Sequence, residues 1–178
     1  LSRILRNDEK YVKVVAYRLN EKGLINRVEK GKYTVLEDAT EFASYIVSPS
    51  YISFWTALSI HHLTEQMPIN IMVAVPKPRR NIDFHSQKIT FTKTNQFWGY
   101  GKMRFRGFDI FIAEKEKAVI DCMLAKNTPF GEAAKAVMSG ELDYERLLKY
   151  VKKTGIRQLA KRIGYLMEKA NIDASELL

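Results

Sequence analysis

Residues 21–35 read EKGLINRVEKGKYTV: a glycine, an apolar pair, then a basic segment broken by a second glycine. Just upstream, EKYVKVVAYRLNEK (9–22) sets Val12, Val15, Ala16 and Leu19 at i, i+3, i+4 and i+7. That spacing is the single apolar stripe of an amphipathic helix. Asn7 and Asp8 are natural N-cap residues, and Glu9 suits the positive end of the helix dipole. Gly23 fits the position just past the helix end, where the backbone turns left-handed, with Leu24 and Ile25 folding back onto the helix. LINRV and KYTVL then read as short strands around EKG, with Gly31 supplying a positive φ for the turn. LSRIL, ahead of Asn7, has the length of only the tail of another helix.

This order of elements predicts a winged helix-turn-helix over residues 1–38. With the apolar stripe on the core, Lys10, Lys13, Val14, Tyr17 and Arg18 face outward, where the major groove of DNA accepts a helix. The hairpin carries Arg27, Lys30 and Lys32 beside it, within reach of phosphates or a minor groove. A winged unit used only for protein contacts is the alternative that these residues leave open.

Charge distribution sharpens the expectation. The chain of 178 residues carries a formal net charge of +9. Residues 1–35 hold nine Lys/Arg against four Asp/Glu, residues 36–73 hold four acids and no Lys or Arg, and residues 74–108 hold eight bases against Asp83. The remainder is nearly balanced. Two separate positive blocks suit a polyanionic partner, and general solubilising charge is the alternative that composition leaves open. A composition 46% hydrophobic and 28% charged is globular, not disordered. The longest apolar run, INIMVAV, is strand-sized, and the N-terminus has no secretory core, so the chain reads as cytoplasmic. Cys122 is the single cysteine, set among apolar neighbours as a buried thiol.

Residues 36–48, acidic and small, read as a linker with room for a short helix. A second unit then spans 39–178, a mixed α/β domain with a helical C-terminal half, giving an α+β chain overall. Pro49 opens an expected helix through Ile52, Trp55 and Leu58. INIMVAV (69–75), KITFTKT (88–94) and FDIFIA (108–113) are strand-like. Helices are expected over 114–126, 130–138, 143–153 and 156–170, with Asp143 and Thr154 as N-caps and Gly140 and Gly155 as breaks. The second basic block falls in the β region, as PKPRR (76–80) and KMRFR (102–106). Around it, Phe97, Trp98, Tyr100, Phe105 and Phe108 either stack on bases or pack a sheet.

No catalytic or cofactor-binding constellation stands out. His61 and His62 are neighbours and point apart on a helix, so with distant His85 and one cysteine they make no zinc set. The glycines of GYGKMRFRG lack P-loop spacing. A Mg²⁺-dependent nuclease would need paired carboxylates with a lysine two residues on. Asp109, Glu114 and Glu116 invite the thought, but in EKEKAVID no Asp or Glu has Lys at that spacing. The expectation is a non-enzyme without metal or cofactor.

YRLNEKGLINRVEKGKYTV, PSYISFWTALSIHHLTEQMP running into INIMVAVPKPRR, and GFDIFIAEKEKAVIDCML together resemble the AbiEi family, antitoxins and autoregulators of type IV toxin–antitoxin systems. The resemblance spans nearly the whole chain. It implies a winged-helix repressor that binds inverted repeats in its own promoter, as double-stranded DNA. It also implies a C-terminal domain that counters a nucleotidyltransferase toxin without a stable complex. On those terms DNA reading falls on Lys10, Lys13, Tyr17 and Arg18, and the wing on Arg27, Lys30 and Lys32. A C-terminal basic patch takes in Lys77, Arg79, Arg80, Arg104 and Arg106. Family members carry a further helix ahead of LSRIL, which leaves open whether the winged unit here lacks its first helix. An interaction module binding RNA or protein through the basic patch is the other reading.

Overall fold

The computed structural model describes residues 8–126 and 128–175; LSRIL and Asn7 lie outside them. Among those residues the chain is an α+β fold, with six α-helices, a six-stranded mixed sheet and a separate two-stranded hairpin.

Helix α1 (Glu9–Glu21) buries Val12 and Ala16 and half-buries Val15 and Leu19, the expected stripe. Its end is a paired left-handed cap. Gly23, at φ 67°, donates its N–H to the Asn20 carbonyl at 2.9 Å, and Leu24 donates to the Leu19 carbonyl at 3.0 Å. Leu24 does not fold back onto the helix; its side chain is 61% exposed, and only Ile25 is half-buried. Strands β1 (Asn26–Glu29) and β2 (Lys32–Thr34) pair antiparallel, Arg27 opposite Tyr33 and Glu29 opposite Lys32, so that Val28 is the extra residue of a bulge. Val28 is buried, and Gly31 takes φ 80° in the turn.

The segment expected to be a linker is core. Asp38 accepts a hydrogen bond from the Thr40 N–H at 2.9 Å and starts a 3₁₀ turn (Ala39–Glu41), followed by a second (Ala43–Tyr45). Ala39 and Ala43 are fully buried and, with Phe42 and Ile46, pack against Ile71, Val73, Val75, Phe84, Ile89 and Phe91. Val28 of the hairpin joins the same cluster. Small residues let this backbone lie close against the sheet, and composition alone mistakes that close packing for looseness.

The sheet runs β5-β6-β4-β3-β8-β7, built from β3 (Tyr51–Ile52), β4 (Asn70–Val75), β5 (Ile82–Phe84), β6 (Gln87–Lys93), β7 (Tyr100–Phe105) and β8 (Phe108–Ala113). The three expected strands correspond to β4, β6 and β8. The helix expected from Pro49 does not form there: Tyr51 and Ile52 pair with β4 and β8, and helix α2 covers only Phe54–Ile60. Along β4, Ile71, Val73 and Val75 face the 3₁₀ segment, while Met72 and Ala74 face the helices. Those helices are α3 (Lys115–Leu124), α4 (Phe130–Met138), α5 (Tyr144–Thr154) and α6 (Arg157–Lys169). The Asp143 carboxylate caps α5 by accepting from the Arg146 N–H at 3.0 Å. The architecture is therefore layered: hairpin and 3₁₀ turns on one face of the sheet, helices on the other.

One polar knot sits inside the helical layer. Lys117 and Asp121, four apart on α3 and both buried, form an ion pair. Asp121 also accepts from Ser53 Oγ at 2.6 Å and Tyr51 OH at 3.2 Å. The Tyr51 ring stacks on Tyr100 at 4.3 Å, and the Lys117 ammonium lies 4.9 Å from the Trp98 ring. Phe97, Trp98 and Tyr100 pack against this core. No helix of the described residues is long and apolar enough to cross a membrane.

Candidate nucleic-acid interface

Because Val12 and Ala16 turn inward, the opposite side of α1 presents Lys10, Tyr11, Lys13, Val14, Tyr17 and Arg18, all exposed. Tyr17 is 61% exposed. The hairpin is tied to this helix: the Arg27 N–H donates to the Asn20 side-chain oxygen at 3.0 Å. Together with the Gly23 cap, that bond sets the angle between α1 and β1.

Five of the seven predicted contact residues come together. Lys13 and Tyr17 from α1 and Arg27, Lys30 and Lys32 from the hairpin line one cleft of about 700 Å³. Its floor is Val12, Ala16, Val28, Phe42 and Ile46. Lys10 and Arg18 stand on α1 outside the cleft. Lys10, Arg18 and Lys30 make no ion pair with any described residue, so their charge is available to an outside anion. Lys32 is held instead: its ammonium donates to the Ile46 carbonyl and lies 2.9 Å from Glu29. Two further lining residues, Tyr33 and Tyr45, were not among the sequence candidates. Tyr45 sits in the supposed linker, half exposed, with its hydroxyl donating to the Asp109 carbonyl at 2.7 Å.

The C-terminal basic residues divide. Lys77 and Arg80 are exposed in the loop after β4. Arg79, in the same loop, pairs with Glu29 of the hairpin, and its guanidinium carbon lies 4.8 Å from the Phe91 ring centroid. Arg104 pairs with Asp109 at 3.2 Å across the β7–β8 hairpin. Arg106 reaches Asp38 at 2.8 Å. Burial pushes the Asp38 carboxyl up, but hydrogen bonds from Thr40 and Gln87 and the Arg106 charge hold it below the usual aspartate value. Arg79 and Arg106 thus fasten the N-terminal hairpin and the 3₁₀ segment to the sheet.

The carboxylates considered for a nuclease are all engaged within the fold, and Arg146 lies 3.9 Å from Glu114 and 3.7 Å from Glu116. Asp109 pairs with Arg104, Glu114 accepts from Tyr150 OH at 2.5 Å, and Glu116 accepts from the Asp143 N–H at 2.9 Å. Among the described residues, no group of three His, Cys, Asp or Glu side chains is arranged to hold a metal ion. His61 contacts the Ala113 carbonyl through Nε2 at 2.7 Å, and burial holds its pKa down. Burial likewise raises the Cys122 thiol, leaving it a poor nucleophile.

A scan against protein-family models finds none that matches this chain, and a search of the curated proteins returns no match.

Proposed function

We propose that the protein is a DNA-binding transcriptional repressor in which α1 is the recognition helix and β1–β2 the wing of a winged helix-turn-helix. On this reading α1 enters a major groove, with Tyr17 and Lys13 at base edges and Lys10 and Arg18 on flanking phosphates. Arg27 and Lys30 follow the adjacent backbone. The observation that carries the reading is the convergence of Lys13, Tyr17, Arg27, Lys30 and Lys32 on one cleft between an anchored helix and a tied hairpin.

The AbiEi-like sequence pattern extends the proposal. The duplex bound is the promoter of the protein's own operon, at inverted repeats. The sheet-and-helix domain serves as the antitoxin of a type IV system, countering a nucleotidyltransferase toxin without holding it in a stable complex. No catalytic step is assigned to the chain, and the site of action is the cytoplasm, where its DNA lies.

Binding of full-length protein to its upstream promoter, measured across salt, tests the reading. Four phosphate contacts, by Lys10, Arg18, Arg27 and Lys30, give a slope of log K against log salt of about −3.6. Absence of binding at low salt, or a flat response, overturns it.

A further inference from the structure

Residues 144–169 contain eight Lys/Arg and two Glu, a concentration hidden in the whole chain because acidic residues precede it. Helix α6 turns Leu159, Ile163, Leu166 and Met167 to the core, which leaves Arg157, Lys161, Tyr165 and Lys169 in an exposed row at four-residue spacing. That row is about 18 Å long. Arg157, Lys161, Arg162 and Lys169 have no ion pair with any described residue. Arg157 opens the helix with no acidic residue in the first turn, a placement that the helix dipole opposes.

Two rings lie among these cations. Tyr165 is 62% exposed, and Phe130, the first residue of α4, is 45% exposed. Arg162 lies on the row's flank, with its guanidinium carbon 5.9 Å from the Phe130 ring centroid. Stacking platforms interleaved with unpaired cations fit a strand whose bases are unstacked; a duplex keeps its base faces covered. The α6 side chains also lie on the helical face of the sheet, opposite the hairpin cluster, so they do not belong to the α1–hairpin cleft.

We propose that the exposed face of α6, with Phe130 beside it, is a second nucleic-acid surface that binds single-stranded RNA or DNA without strong sequence preference. Lys161, Arg162 and Lys169 neutralise phosphates, Arg157 extends the track, and Tyr165 and Phe130 stack on bases. This surface does not depend on the repressor reading, since it shares no residue with the α1–hairpin cleft.

The test is fluorescence anisotropy of the full-length protein with a labelled oligouridylate of about 15 nucleotides. The wild type binds at about 50 mM salt and weakens steeply as salt rises. Lys161→Glu with Arg162→Glu weakens binding at least about tenfold. Tyr165→Ala costs at least about fivefold, and Tyr165→Phe restores it. Lys161→Gln with Lys169→Gln, a milder change on exposed positions, still lowers affinity, and unchanged thermal melting shows the fold intact. Lys30→Glu, a charge reversal on the hairpin outside the α6 surface, leaves oligouridylate binding unchanged. Three results overturn the proposal: no oligouridylate binding at low salt; equal loss in Lys30→Glu; or competition by duplex of the same length, or by polyglutamate, as effective as by the single strand.

Discussion

The Arg79 guanidinium holds the Glu29 carboxylate across a separation of fifty residues, joining the loop after β4 to the first strand of the hairpin. Glu29 has Lys32 on its other side at 2.9 Å, so one half-buried carboxylate stands between a core-side cation and a hairpin cation. The Phe91 ring lies against the guanidinium. The hairpin is therefore not a free arm. Its base is bolted to the sheet, and its outward charge is carried by Arg27 and Lys30.

Replacing Arg79 by alanine separates a fastening role from a phosphate contact. The pair is partly buried, so loss of stability falls between that of an exposed and a fully buried ion pair, roughly 1–2 kcal/mol in a denaturant titration. Promoter affinity falls through a loosened hairpin, but the salt slope stays that of the wild type. A slope shallower by about 0.9 would instead assign Arg79 to the phosphates.

The Asp38 carboxylate, held by hydrogen bonds from Thr40 and Gln87 and by the Arg106 charge, predicts an acid-sensitive fastening. The folded Asp38 carboxyl titrates below its unfolded value, so it contributes stability above the unfolded pKa, and that contribution is lost as pH falls through the folded one. Thermal melting of wild type and Asp38→Asn between about pH 6 and pH 3 shows it. The wild type melts higher at the upper end, and the gap narrows as the acid range is entered. A constant gap rejects the carboxylate as its cause.

How much of this was readable in advance follows from which forces are local. The stripe of Val12 and Ala16, the left-handed Gly23 and Gly31, and the periodic C-terminal helices are short-range signals, and they stand where periodicity put them. The β3 strand was not legible, because Ile52, Trp55 and Leu58 also satisfy helical spacing. What makes Tyr51–Ile52 extended is pairing with β4 and β8, and β8 lies some sixty residues downstream. Ala39 and Ala43 looked like linker for the reason that makes them core: they are small. Arg79 and Arg106 read as a basic patch, since nothing local reveals that Glu29 and Asp38 face them.

Lys117 and Asp121 test the helical layer. Burial pulls the lysine down and pushes the aspartate up, each opposed by the other's charge. Lys117→Met leaves Asp121 buried with only the Ser53 and Tyr51 hydroxyls, and stability falls by about 3–5 kcal/mol. Adding Asp121→Asn removes the stranded charge and keeps an acceptor for those hydroxyls, so the double variant recovers part of the loss. A double variant no more stable than Lys117→Met would mean that packing against Trp98 and Tyr51, not charge, sets the cost.

Tyr17 and Lys30 separate reading of sequence from grip on the backbone. Both line the cleft, yet the ring projects from the anchored helix and the ammonium from the hairpin turn beside Gly31. An ammonium on a phosphate gains the same energy from any duplex and releases counterions, so Lys30→Ala weakens promoter and scrambled DNA alike and makes the salt slope about 0.9 shallower. A ring at a base edge gains energy from particular bases and releases few ions. Tyr17→Ala therefore lowers promoter affinity by about 1–3 kcal/mol, leaves scrambled DNA nearly unaffected and keeps the slope. Titrations of both variants against both duplexes at three salt concentrations give the comparison. Equal losses on both sequences for Tyr17→Ala would move base reading off the cleft and onto the outer face of α1, at Lys10, Val14 and Arg18.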